Sequence, residues 1–273
     1  VNYFRDLEEI LLTINPKEKF RKFDCFYKEF LNENIDFSNN YEIMPLEEPS
    51  YKSFMKIVLP KNVKIRKYFD TKEGKGSLLH TIAHIEYSAI DLALDAALRF
   101  KNLPKEYYKD WLEVASDEIR HFLMIEEIMN KVGYKYGDFE VHTNLFEAMK
   151  KTTNLVERMA IVPRYLEANG LDQNPKIMKK LESNPDEINN EILKALNVIL
   201  EEEVDHVYKG DKWYKYACEK ENLDVENTYL ELLEKYYPGS TQGKKPDMNF
   251  EARKKAGFSC DELKRLSNKS DCA

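Results

Sequence analysis

Between Gly76 and Gly133 the chain runs without a glycine and with a single proline, Pro104. Strands separated by tight turns do not fit such a stretch, whereas two long helices on either side of a Leu103-Pro104 turn do. Ile82, Ala83, Ala89, Ile90, Ala93 and Ala97 recur at the three- and four-residue spacing of an amphipathic helix over roughly 77–101. Trp111, Val114, Ala115, Phe122, Ile125 and Met129 do the same over 105–131, and Gly133 supplies a stop signal. A third helix is expected from a cap at Asn144 through Leu155, Met159, Ala160 and Leu166, interrupted by Gly170 and Pro175 and resuming at Pro175–Ser183. After an Asn184-Pro185 turn, a fourth spans about 186–220 with Ile192, Ala195, Leu196 and Ile199 inward, and a shorter fifth fits 225–236.

The rest is less periodic. Residues 1–35 hold helix-like segments, and 36–74 read as a mostly extended covering segment with Pro45, Pro49 and Pro60. The tail beyond Gly239 is rich in lysine. The expectation is therefore an all-α protein: a four-helix bundle with a covering segment (1–74), the bundle and a fifth helix (75–236), and a basic tail (237–273).

Composition narrows the class without changing it. The chain has 273 residues, enough for a core that needs no staples. Charged residues make up 33%, mean hydropathy is -0.63, and no apolar run nears the roughly 18 residues of a membrane span. The first twenty residues carry acids inside their apolar pattern and lack a small-residue cleavage site, so a cytoplasmic location is expected. Cys25, Cys218, Cys260 and Cys272 are widely spaced and fit reduced thiols. A net charge of -7 weighs against a surface devoted to nucleic acid, though not against a local basic patch.

Chemistry enters where the helical stripes contain residues that a core excludes. An ionised carboxylate in a low-dielectric interior is too costly to persist without a partner. Yet Glu86 sits among Ile82, Ala83, Ala89 and Ile90; Glu118 and His121 fall between Val114, Ala115 and Phe122, Ile125; and Glu203 and His206 follow Ile199 in the same register. Glu167 lies in line with Val156 and Ala160. Glu118-x-x-His121 and Glu203-x-x-His206 each place an oxygen and a nitrogen donor on one helix face, one turn apart. One such pair arises often by chance; two, each preceded by a helix with an inward glutamate, form the ligand pattern of carboxylate-bridged dinuclear metal sites in four-helix bundles.

The spacing agrees. Glu86 and Glu118 stand about 16 and 14 residues from the turn near Asn102, roughly 20–24 Å along their helices. Glu167 and Glu203 stand about 17 and 18 residues from the Asn184-Pro185 turn if the third helix is continuous. Glu157 is the rival to Glu167, with neighbours that suggest an ion-paired, partly exposed side chain. His80 and His84 lie roughly opposite Glu86; a second metal site is conceivable, but histidines hydrogen-bonded against the covering segment are the simpler reading. His142 reads as a loop residue.

Residues 78–100 (LLHTIAHIEYSAIDLALDAALRF), 110–122 (DWLEVASDEIRHF), 158–172 (RMAIVPRYLEANGLD), 202–214 (EEVDHVYKGDKWY) and 252–259 (ARKKAGFS) resemble an uncharacterised ferritin-like domain family of bacteria. That family is similar to the diiron hydroxylase that acts on 2-methylthio-N6-isopentenyladenosine in tRNA. The likeness spans roughly residues 75–260. The hydroxylase's third-helix ligand is a glutamate in a Leu-Ile-Glu-Ala-Arg context, which Leu166-Glu167-Ala168 resembles. The resemblance implies a pair of iron ions, with manganese or a mixed pair as alternatives, held by Glu86, Glu118, His121, Glu167, Glu203 and His206.

Three functions are compatible with these residues: an oxygen-dependent oxidase or hydroxylase acting on a small molecule or a modified nucleoside; metal storage or peroxide detoxification; or a non-enzymatic helical binding module. For the last, Lys244, Lys245, Arg253, Lys254, Lys255, Lys264 and Arg265 could touch tRNA phosphates, although a solvated tail is the simpler expectation.

Overall fold

The computed structural model describes residues 1–38, 40–64, 69–242, 247–267 and 269–271. It is helical throughout, with no strand among the described residues and two isolated bridges, Asn2 with Asp36 and Ile57 with Val141. No helix of the described residues is long and apolar enough to cross a membrane. The chain divides into two compact units, Val1–Lys150 and Lys151–Ala273.

The first unit is built on a helical hairpin, α3 (Lys72–Arg99) and α4 (Lys105–Lys131), preceded by α1 (Tyr3–Leu12) and α2 (Pro16–Leu31) and followed by α5 (Asn144–Lys151). Thr71 caps α3 by accepting from the Gly74 amide at 3.0 Å, five residues earlier than the apolar stripe suggests. The expected stripe residues of both hairpin helices are buried. The chain leaves α4 through Gly133, whose φ of +83° is a left-handed conformation that a side chain disfavours. Asn144 is the first residue of α5 rather than its cap.

The second unit holds α6 (Leu155–Ile161), a π-helical turn (Val162–Glu167), α7 (Ala168–Glu182), α8 (Glu187–Glu221) and α9 (Val225–Tyr236). The third helix of the sequence reading is therefore broken elsewhere than expected. It breaks at 152–154, where buried Thr152 accepts from the Arg158 guanidinium through both its carbonyl and its hydroxyl, and Asn154 caps α6 through the Glu157 amide. Gly170 and Pro175, expected to interrupt it, lie inside α7. Proline removes the amide that would reach the carbonyl of Leu171; Asn249 Nδ2 donates to that carbonyl at 3.2 Å instead. Pro163, which also lacks an amide, lies in the π-helical turn. Gly210 on α8 admits it closely: a Cβ there would meet Pro163 Cβ at 2.4 Å.

The C-terminal region is not the loose basic tail expected from composition. It forms α10 (Phe250–Lys255) and α11 (Cys260–Ser267), anchored by two buried arginines. Arg253 bonds Asp172 at 2.7 Å and the Ala168 carbonyl at 3.0 Å. Arg164, in the π-helical turn, bonds Asp211 at 2.8 Å and Glu262 at 2.6 Å, with Tyr229 and Phe258 rings 4.0 and 4.4 Å from its guanidinium carbon. Lys255 pairs with Glu251, so neither it nor Arg253 is an unengaged cation. Lys244 and Lys245 lie outside the described residues. Cys25 and Cys218 are free thiols; Cys260 is disulfide-bonded, against the expectation of four reduced thiols, and Cys272 lies outside the described residues.

Removing a buried cation leaves its carboxylates uncompensated, which costs about 3–5 kcal/mol. Arg164→Met is therefore expected to lower the unfolding free energy by that amount in urea titration. A loss below about 1 kcal/mol would show that the Arg164 network does not hold the C-terminal helices in place.

Candidate metal centre

In the first unit, three of the sequence-predicted ligands meet. Glu86 projects from α3, and Glu118 and His121 from consecutive turns of α4. One donor atom from each lies within 4.8 Å of the others, and all three side chains are buried, Glu118 and His121 completely. His121 Nδ1 is 3.2 Å from Glu86 Oε2 and 3.5 Å from Glu118 Oε2. The hairpin explains the meeting: a short turn between helices of nearly equal length brings the level of Glu86 opposite that of Glu118.

The cluster gathers two buried carboxylates around one buried imidazole. Burial, reinforced by the facing charge of Glu118, pushes the Glu86 carboxyl up to about 8. Burial alone would pull the His121 imidazole down, but hydrogen bonds and charges from Glu118 and Glu86 outweigh it and hold the group up to about 11. At neutral pH the three groups therefore keep protons among them. A divalent cation can take the place of those protons, and oxygen and nitrogen donors at this spacing suit iron, manganese or zinc.

In the second unit, Glu203 and His206 occupy one face of α8, both buried, with His206 Nδ1 3.9 Å from Glu203 Oε1. The imidazole thus turns the same nitrogen toward its glutamate as His121 does. Glu167 is half-buried at the end of the π-helical turn, a feature frequent at functional sites. Glu157, its rival, is engaged by Lys235 at 2.6 Å.

The remaining histidines are structural. His80 Nε2 accepts from the Gly137 amide at 3.0 Å. His84 Nε2 lies 3.1 Å from the His142 carbonyl, which fixes the tautomer; Nδ1 then accepts from the Tyr136 hydroxyl at 2.9 Å. Burial lowers His84 to about 4, so it stays neutral. These partners come mainly from the 134–142 loop, while Tyr51 of the covering segment packs edge-on against His84. The network of Lys19, Ser50 and Asp91 in the first unit leaves little trace in the sequence. A lysine at a helical apolar position was its only signal.

A family model described as "Protein of unknown function (DUF455)" matches residues 12–264. The chain belongs to this family. It is also 39% identical over 272 residues to an uncharacterized protein of Haemophilus influenzae, covering 96% of this chain and 92% of that one. No solved structure matches it significantly.

Because the Glu86, Glu118 and His121 cluster holds protons at neutral pH, metal uptake by this DUF455 protein should release them. Calorimetric titration with Mn(II) at pH 7, in two buffers of different ionisation enthalpy, is expected to show at least one proton released per ion. Affinity should fall about tenfold per pH unit, per proton displaced, between pH 8 and 6. Binding without proton release would contradict this charge assignment.

Proposed function

We propose that the chain is a ferritin-like dinuclear metal protein, with iron as the first choice of metal, and that it acts as an oxygen-dependent oxidase or hydroxylase on a small molecule or a modified nucleoside. The observation that carries this reading is the repetition of one pattern: a helix bearing a buried Glu-x-x-His pair, in hairpin connection with a helical segment bearing a glutamate, once as Glu86 with Glu118 and His121 and once as half-buried Glu167 with Glu203 and His206. In this reading the six residues hold one pair of ions.

The donor set fits such a pair. Four carboxylates neutralise the four positive charges of two divalent ions, and two imidazoles give each ion one nitrogen ligand. Two iron ions would supply the electrons that activate dioxygen toward an organic substrate. The chain's own residues would do the rest: the four carboxylates would hold the ions and balance their charge, and the buried apolar stripes around them exclude water. Glu86, held near neutrality before the metal enters, is placed to release its proton as the ions bind.

Elemental analysis of protein purified from its own cells should give about two iron or manganese ions per chain. Glu118→Ala and Glu203→Ala should each reduce that to less than one while helical circular dichroism is retained. Anaerobically loaded ferrous protein should then show a near-ultraviolet absorption change on exposure to oxygen. One ion per chain, or full metal content in Glu203→Ala, would contradict the dinuclear reading; many ions per chain would mark storage instead.

A further inference from the structure

A cleft of ≈ 430 Å³ opens in the first unit among α1, the 46–53 segment and α5. Its size falls within the roughly 300–1,000 Å³ range of small-molecule sites. The walls are mostly apolar, Leu11, Leu12, Ile14, Leu46, Phe146 and Met149, with Ser53 and the ion-paired Glu48 and Lys52 completing the lining. Two of them are unusual for their type, because Leu12 is 53% and Ile14 55% exposed, leaving hydrocarbon facing water at the mouth. The floor, by contrast, is polar and highly organised. Ser50 and Asp91 line it, and behind them Lys19 is completely buried, its ammonium 2.5 Å from Asp91 Oδ1 and 2.9 Å from Ser50 Oγ. Ser50 Oγ in turn donates to Asp91 Oδ2 at 2.5 Å.

Donors and acceptors can be counted here. The single hydroxyl proton of Ser50 is committed to Asp91, and the Lys19 ammonium is sealed behind the floor with Tyr87 at its back. Toward the cleft, Ser50 Oγ, one lone pair of which accepts from Lys19, and the Asp91 oxygens offer their remaining lone pairs and no proton. Because Lys19 balances Asp91, the floor as a whole carries no net charge. On the floor a carboxylate or phosphate would find no donor and a cation no uncompensated negative charge, and the Lys52 ammonium in the lining is already paired with Glu48. A neutral O–H or N–H would find an acceptor.

We propose that this cleft binds a small neutral amphiphile, an aliphatic alcohol or primary amide whose O–H or N–H donates to Ser50 and Asp91 while its hydrocarbon body lies against Leu11, Leu12, Ile14 and Met149. The site is separate from the metal centre. Asp91 follows Glu86 by five residues on α3, a displacement of about 7.5 Å along the helix and about 140° around it, so it faces another way. None of its residues is a candidate metal ligand, and the proposal stands or falls independently of the metal reading.

The test uses the full chain with methyl-labelled leucine, isoleucine and methionine, and 1-octanol as the probe. Saturable shifts should be confined to Leu11, Leu12, Ile14, Leu46 and Met149. Octanoate should bind at least about tenfold more weakly, for want of a donor on the floor. Ser50→Ala, which leaves the Lys19–Asp91 pair in place, should weaken 1-octanol about tenfold, as expected for one hydrogen bond. Leu12→Asp, at an exposed position, should abolish binding with the fold intact. Equal binding of octanoate, an unchanged affinity in Ser50→Ala, or shifts that do not saturate would overturn the proposal.

Discussion

A carboxylate sealed from water must be neutralised by a proton, a cationic side chain or a metal ion, and this protein uses that constraint throughout. Buried acids are not scattered over its helices. Asp91 is answered by Lys19, Asp172 by Arg253, and Asp211 and Glu262 by Arg164. Glu86 and Glu118 meet an imidazole instead, and burial together with the facing Glu118 charge still raises the Glu86 carboxyl to about 8. At Asp91, Asp172, Asp211 and Glu262 the fold supplies arginine or lysine, and at Glu8 the Tyr41 hydroxyl and the Met44 amide. Where it supplies histidine at metal-ligand spacing, the compensation is left exchangeable, and a cation can replace the protons.

Much of this was legible because helices report burial through periodicity. The stripes of α3 and α4 placed Glu86, Glu118 and His121 inward, and the equal distances from the turn placed them at one level. The α4 and α9 boundaries could be read directly from Gly133, Pro104 and the apolar spacing. The break at 152–154 was missed because Gly170 and Pro175 look like stronger punctuation than Thr-Thr-Asn. Local rules, however, assume that a proline-orphaned carbonyl has no other donor, and here Asn249, more than seventy residues away, provides one. The Asn154-x-x-Glu157 pattern was the signal that could have located the true start of α6.

The C-terminal region shows the complementary limit. Its lysine content suggests a solvated arm, since composition registers charge without registering partners. What orders it is a pair of arginines whose acceptors lie about eighty residues or more upstream, Asp172 for Arg253, or whose own position is upstream, Arg164 for Glu262. Such long-range pairing leaves no periodic trace. The same holds for Lys19, Ser50 and Asp91, which come from α2, the covering segment and α3.

The proposed function stands on a dinuclear metal centre. X-ray absorption at the metal edge of the fully loaded protein tests it most directly. The account predicts a first shell of oxygen with about one imidazole nitrogen per metal, and a second metal scatterer at about 3.5–4 Å. A spectrum with imidazole scattering but no neighbouring metal would contradict it.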